Sequence, residues 1–271
     1  MTIAITKFDG EYEAVGAWTG LTVAEQRQLE ERHDGPRLQW LAWDGDRVAG
    51  VLHPWVMPDG RHRLFFGKCS PEAYVALAGH VPGEVYATFD DPATVGLFRG
   101  IGFEVNRQEN QYKIGVSVFE APVPEGLTVI SAADTELEKL MMLDCALRED
   151  VPGSEGWQPD AQWFREETYD SPYFDPEAYL VALDGEDYVG LVRIWKGPRP
   201  VPRLGLIGLL PDYRRRGLAR ALVSQAFRAL HARGVPEVVA EADVTNVASN
   251  ALLTGLGGVV TGQETELRRP A

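Results

Sequence analysis

The sequence contains one pattern twice. When LAWDGDRVAGVLHPW (41–55) is set above VALDGEDYVGLVRIW (181–195), Asp44-Gly45 falls on Asp184-Gly185, Gly50 on Gly190 and Trp55 on Trp195, without a gap. Each stretch alternates and is split by an Asp-Gly turn, the signature of a β-hairpin. Downstream, LFRGIGFE (97–104) has the cadence of LLTGLGGV (252–259), with Phe98 opposite Leu253 and Gly102 opposite Gly257. Both read as a helix end closed by glycine and leading into a strand. Two anchors in the same order predict a duplicated fold. EAPVPEG (120–126), with two prolines and a glycine, reads as the linker. The expected domains are therefore 1–119 and 120–271.

Size and composition allow this. The chain has 271 residues, 45% of them hydrophobic, which suits two domains with real cores. Its 40 acidic and 26 basic residues give a net charge of −14. That argues against a general nucleic-acid binder and mildly favours cationic small partners. The N-terminus is not that of a signal peptide, and no stretch approaches a membrane span. Cys69 and Cys145 stand far apart, without metal-ligand spacing, and read as reduced thiols in a cytoplasmic protein. No metal is expected.

The halves differ in one place. From hairpin glycine to helix-end glycine the first half is shorter by about fifteen residues. The second half carries there LLPDYRRRGLARAL (209–222), three arginines directly before a glycine. RLGLIGLL (203–210) before it reads as a mostly buried strand, ended by Pro211. After it, Leu218, Leu222, Ala226 and Leu230 recur at helical spacing until Gly234 and Pro236 stop the helix. A strand, a tight basic turn and a helix N-terminus together present free backbone N–H groups and the positive end of a helix dipole. Gly217 lets the backbone approach a ligand, and Ala219 leaves room in the first turn. The junction suits a pyrophosphate. Neither GxxxxGK[ST] nor GxGxxG is present.

LLPDYRRRGLA resembles the acyl-coenzyme A signature of the GNAT (GCN5-related) N-acetyltransferases, R/Q-x-x-G-x-G/A after a V-x-P strand end. Arg214, Gly217 and Ala219 fill it, with Leu209 at the valine position. EADVTNVASNALLTGLGG continues the resemblance as the next strand, an Asn at its end, and a helix. The resemblance implies an α/β (α+β) fold of two tandem GNAT-like domains, each a mixed, mainly antiparallel sheet flanked by helices. The first is similar to the same domain with the signature deleted, an architecture resembling tandem acetyltransferases of the mycothiol synthase type. It further implies acetyl-CoA as co-substrate, bound through Leu209, Leu210, Arg214, Arg215, Arg216, Gly217, Leu218, Ala219, Arg220, Asn246 and Ser249. The N–H groups of 215–219 would hold the pyrophosphate. Leu209 would meet the pantetheine arm and polarise the thioester, and Asn246 would reach the arm from the neighbouring strand.

Acetyl transfer to an amine needs a base, because an alkylamine with pKa near ~10 is almost wholly cationic at neutral pH. The family often places a glutamate on the strand before the loop, and RLGLIGLL has none. Glu241 and Asp243 share one face of the next strand, and Glu241 is the first candidate. Asp150, beside Glu149 in the segment that covers the acceptor in this family, is the second. Tyr169 and Tyr173 are candidates to line the acceptor pocket. The family's thiolate-protonating tyrosine falls on Leu253, a departure for which Ser249, Thr254 or a bound water could substitute. The expected activity is transfer of acetyl to a primary amine of a small molecule or peptide, directly from the thioester. A non-catalytic acyl-CoA-binding protein is the rival.

Overall fold

The computed structural model describes residues 3–31, 40–197 and 201–271. One order of elements occurs twice. The first run is β1 (Ile3–Lys7), α1 (Tyr12–Thr19), α2 (Val23–Glu31), β2 (Trp40–Asp44), β3 (Arg47–Val56), β4 (His62–Cys69), α3 (Pro71–His80), β5 (Val85–Phe89), α4 (Pro92–Gly100) and β6 (Glu104–Gly115). The second is β7 (Leu127–Ser131), α5 (Leu137–Arg148), α6 (Ala161–Glu167), β8 (Tyr179–Asp184), β9 (Asp187–Trp195), β10 (Arg203–Leu209), α7 (Leu218–Ala232), β11 (Glu237–Asp243), α8 (Val247–Gly255) and β12 (Val259–Arg269). Both hairpins seen in the sequence form, β2–β3 and β8–β9. In each, the aspartate closes a strand and the glycine opens the two-residue turn, with φ +63° at Gly45 and +59° at Gly185.

The compact units are not two consecutive halves. One comprises residues 1–108 with 264–271, the other residues 109–263. The expected division at 119/120 differs in a physical respect: each half gives its last strand to the sheet of the other unit. Residues 265–269 of β12 pair antiparallel with β5, and residues 109–115 of β6 pair antiparallel with β11. The first unit's sheet therefore runs β1-β2-β3-β4-β5-β12, and the second's β7-β8-β9-β10-β11-β6. All these pairings are antiparallel except β4–β5 and β10–β11. The segment 120–126 lies inside the second unit.

In the second unit the sheet separates two cores. Leu218, Leu222, Ala226, Phe227 and Leu230 of α7 pack with Val192, Ile194, Val238 and Ala240 on one face. Leu140, Leu143 and Leu147 of α5 and Phe164 of α6 pack with Val181, Leu191 and Leu206 on the other. Strand β9 is covered on both sides, which explains its almost unbroken apolar run. Helix α7 ends as its sequence signals: Gly234 takes φ +73°, and the Val235 N–H reaches back to the Leu230 carbonyl. Among the described residues no helix is long and apolar enough to cross a membrane.

Candidate active site

Strands β10 and β11 pair at only two positions, Arg203↔Val239 and Leu204↔Ala240, and then part. Beyond Leu204, β10 keeps only its β9 neighbour, as far as Leu209↔Gly190. The Leu210 N–H bonds the Val189 carbonyl at 2.9 Å, so Leu209 and Gly190 form a non-hydrogen-bonded pair. The N–H and C=O of Leu209, and by alternation those of Ile207, therefore face away from β9 into the gap. Gly190 is required there, because a Cβ on it would lie 2.3 Å from Leu209 Cδ2 and 3.0 Å from the Gly208 carbonyl oxygen.

The basic loop closes one end of the gap. After a single 3₁₀ turn (Pro211–Tyr213), Arg215 takes φ +59°, the only positive φ of a non-glycine among the described residues. Gly217 follows at φ +84° as the N-cap of the 15-residue α7, with no side chain capping it. The first N–H groups of the helix are thus left without the usual side-chain acceptor. Arg215, Arg216 and Gly217 are exposed, Ala219 is half-buried and Leu218 is buried. Arg214 turns back instead: its Nε donates to the Leu209 carbonyl at 2.8 Å, and its Nη2 pairs with Asp150. Arg216 stacks over Tyr213 at 5.8 Å, and the Tyr213 hydroxyl donates to Asp184 at 2.9 Å. Arg220 is committed elsewhere, donating to the Gly255 carbonyl at 3.2 Å and lying 5.1 Å over Phe119.

The remaining expected residues divide between two places. Asn246 is the N-cap of α8, its Oδ1 accepting the Ser249 N–H at 3.0 Å. That leaves the Asn246 amide NH₂ for a ligand. Glu241 stands near the start of β10, where its Oε2 accepts from Arg203 Nε at 2.5 Å. Arg203 and Leu209 are the two ends of β10, about 20 Å apart at a strand's rise per residue. Glu241 and Asp150 therefore stand at opposite ends of the gap. Asp243 is occupied locally, accepting the Thr245 N–H at 2.8 Å. Tyr169 shares a 2.7 Å hydrogen bond with Thr135 and packs on Phe174, a structural position. Leu253 is buried in the α7 core at 3% exposure. A tyrosine hydroxyl reaches α8 from a strand instead: Tyr112 on β6 donates to Asn250 Oδ1 at 2.7 Å. No local pattern marks that residue, because β6 comes from the first half of the chain.

The equivalent junction in the first unit is closed. There β4 runs through Cys69 straight into α3, whose N-cap Ser70 accepts the Ala73 N–H at 3.2 Å with Pro71 in the first turn. Both devices satisfy or remove the donors an anion would use. Strands β4 and β5 pair only at Arg63↔Tyr86, but the opening is lined by Phe66, Tyr74 and Phe89, with Phe98 against them, leaving a cavity of about 190 Å³.

Comparison with known proteins bears on the fold. Residues 142–257 match the model of the Acetyltransferase (GNAT) family. A mycothiol acetyltransferase of Nocardioides sp. is 26% identical over 268 residues, covering 90% of this chain and 89% of that protein. Another, from Clavibacter michiganensis, is 25% identical and covers 84% and 78% respectively. Among solved structures, a GCN5-related N-acetyltransferase from Sphaerobacter thermophilus superposes with a TM-score of 0.69 at 16% identity, covering 99% of this chain and 96% of that one. A tandem GNAT protein from the clavulanic acid biosynthesis pathway gives a TM-score of 0.69 at 14% identity, with 98% of each chain covered. Residues 142–257 thus match the acetyltransferase (GNAT) family model, and the chain has the fold of tandem GNAT proteins.

Proposed function

We propose that this protein is an acetyl-CoA-dependent N-acetyltransferase whose active site lies in the second unit and whose acceptor is a primary amine of a small molecule or peptide. The observation that carries this reading is the uncapped N-terminus of α7, set beside the open edge of β10. The N–H groups of 215–219 hold the pyrophosphate there, with Arg215 and Arg216 adding charge. The pantetheine arm lies along the open edge of β10, meeting Leu209 first, with the Asn246 amide on its other side. The arm carries the thioester past Leu209, so the outward N–H of Ile207 is the donor to the developing oxyanion. The amine nitrogen attacks the thioester carbon, the C–S bond breaks, and coenzyme A leaves as its thiolate.

Glu241 is the proposed base. Without acceptor its carboxylate is held by Arg203, and an arriving ammonium competes for the same oxygen. Asp150, at the loop end, is better placed to fix Arg214 than to take a proton from the amine. A thiol of pKa near ~8.5 is a fair leaving group, so the apolar residue at 253 slows transfer without forbidding it. The buried Leu253 does favour a second reading, an acyl-CoA-binding protein without turnover. An amine panel with acetyl-CoA separates the two. Turnover should occur, and Glu241→Gln should lower kcat by roughly 10²–10⁴-fold while Asp150→Asn mainly weakens acetyl-CoA binding. Tight acetyl-CoA binding with no amine acetylated would instead establish the second reading.

A further inference from the structure

One buried polar cluster of the second unit borders the α5 core and lies off the proposed cofactor path. Asp144 on α5, 1% exposed, accepts from Arg148 Nε at 2.6 Å and from Arg193 Nη1 at 2.9 Å. Two guanidinium groups thus share one carboxylate, and among the described residues no other acidic side chain pairs with either of them. Burial pulls Arg148 below its usual range, Asp144 opposes this, and Arg193 lowers it further. For Arg193, by contrast, burial is outweighed by Asp144 and Tyr179, which hold it above its usual range, and the imbalance is two guanidinium groups to one carboxylate.

The place is also short of acceptors. The Arg193 Nε, the Tyr179 hydroxyl and the Trp157 indole N–H are all buried and without a well-formed hydrogen bond; the one contact among them, Arg193 with the Tyr179 hydroxyl, still leaves the hydroxyl proton and the indole N–H unaccepted. They belong to one cluster. The Arg148 guanidinium lies 4.2 Å over the Trp157 ring, and Arg193 lies 5.8 Å from Tyr179 and 5.0 Å from Trp195. Tyr179 has no exposed surface and Arg193 is 7% exposed. Burial pushes the Tyr179 pKa up to about 12, so its hydroxyl stays neutral and able to donate. Orphaned buried donors are costly and call for an acceptor. Here every orphan can donate, around an excess cation, so the missing group is an anion with flat, forked oxygens.

The location joins this cluster to the proposed reaction. Arg193 pairs across the ladder with Leu206, next to Ile207 on the open edge of β10. Arg193 and Leu206 both lie on the α5 side of the sheet. The geometry points to a carboxylate-binding subsite for the acceptor: the amine acetylated by this protein also carries a carboxylate, received by Arg193 and Arg148 with Tyr179 and Trp157. This rests on the transferase reading above and narrows its substrate to amino acids and short peptides.

The test compares acetylation of L-phenylalanine and glycylglycine with that of their carboxamides, in the wild type and in Tyr179→Phe. This substitution removes one buried hydroxyl, whose one polar neighbour is Arg193, and leaves the ring packing, so the fold is kept. The acids should show a KM about tenfold below the amides, and Tyr179→Phe should erase most of that difference while the melting temperature holds. Equal KM values for acid and amide, or a preference that survives Tyr179→Phe, would overturn the subsite and leave buried water as the partner of these donors. If acetyl-CoA binds but no amine is acetylated, the transferase reading alone has failed. Calorimetric titration of L-phenylalanine into the acetyl-CoA-loaded protein then decides the subsite. Saturable binding that phenylalaninamide lacks and Tyr179→Phe weakens retains it; no binding overturns it.

Discussion

Gly190 shows how one residue sets the site from a distance in sequence. It sits on β9 and fixes the place of Leu209 because a Cβ would overlap the leucine side chain at 2.3 Å. Leu209 is itself only 8% exposed and cannot retreat without disturbing the core. Gly190→Ala should therefore cost about 1–3 kcal/mol by overpacking and, by shifting the open edge of β10, weaken acetyl-CoA binding. Denaturant unfolding and calorimetry on the one variant check both halves of that statement. A fully stable variant with unchanged affinity would mean that Leu209 does not define the edge. Gly190 was visible in the sequence as the partner of Gly50, but its reason was not: a repeat identifies a position, and only the packing against β10 explains it. Arg193 left a fainter signal, a single cation inside an otherwise apolar strand. The carboxylate that neutralises it comes from α5, 49 residues away in sequence, and side-chain period alone does not foretell that meeting.

At the scale of elements, the loop was legible and the gap beside it was not. Proline, arginines, glycine and an apolar period are local signals, and they placed the strand end, the turn and the helix start correctly. The parting of β10 from β11 depends on which residues of two strands pair, and the exchange of β6 and β12 on which sheet each last strand joins. Both are long-range pairings, invisible to a window of a few residues. The exchange has a measurable consequence. Leu267 on β12 is fully buried in the core of the first unit, and Ile114 on β6 in that of the second. Truncating either should cost about 2–5 kcal/mol, but in crossed places. In hydrogen exchange read by peptide, Leu267→Ala should loosen β2 to β5, and Ile114→Ala should loosen β10, β11 and α7. Loosening confined to the half that carries the substitution would contradict the exchanged arrangement.

For the whole molecule, duplication has left two similar scaffolds with unlike ends. The first unit keeps a parting strand pair, yet its helix begins with a serine cap and a proline, and aromatic rings line the opening. The second keeps a glycine start, no cap and a charged turn. Three consecutive arginines stand at that one junction of a chain that is −14 in total, where one pyrophosphate is proposed to bind. Calorimetric titration of acetyl-CoA into the intact chain, repeated with Arg214→Glu/Gly217→Asp, tests this most directly. One site per chain is expected, lost in the double variant, with a folded protein remaining: the exposed Arg214–Asp150 pair contributes at most about 1 kcal/mol, and the φ of +84° at position 217 adds about 1–2 kcal/mol of strain for a non-glycine. Two sites per chain, or a single site untouched by the double variant, would contradict it.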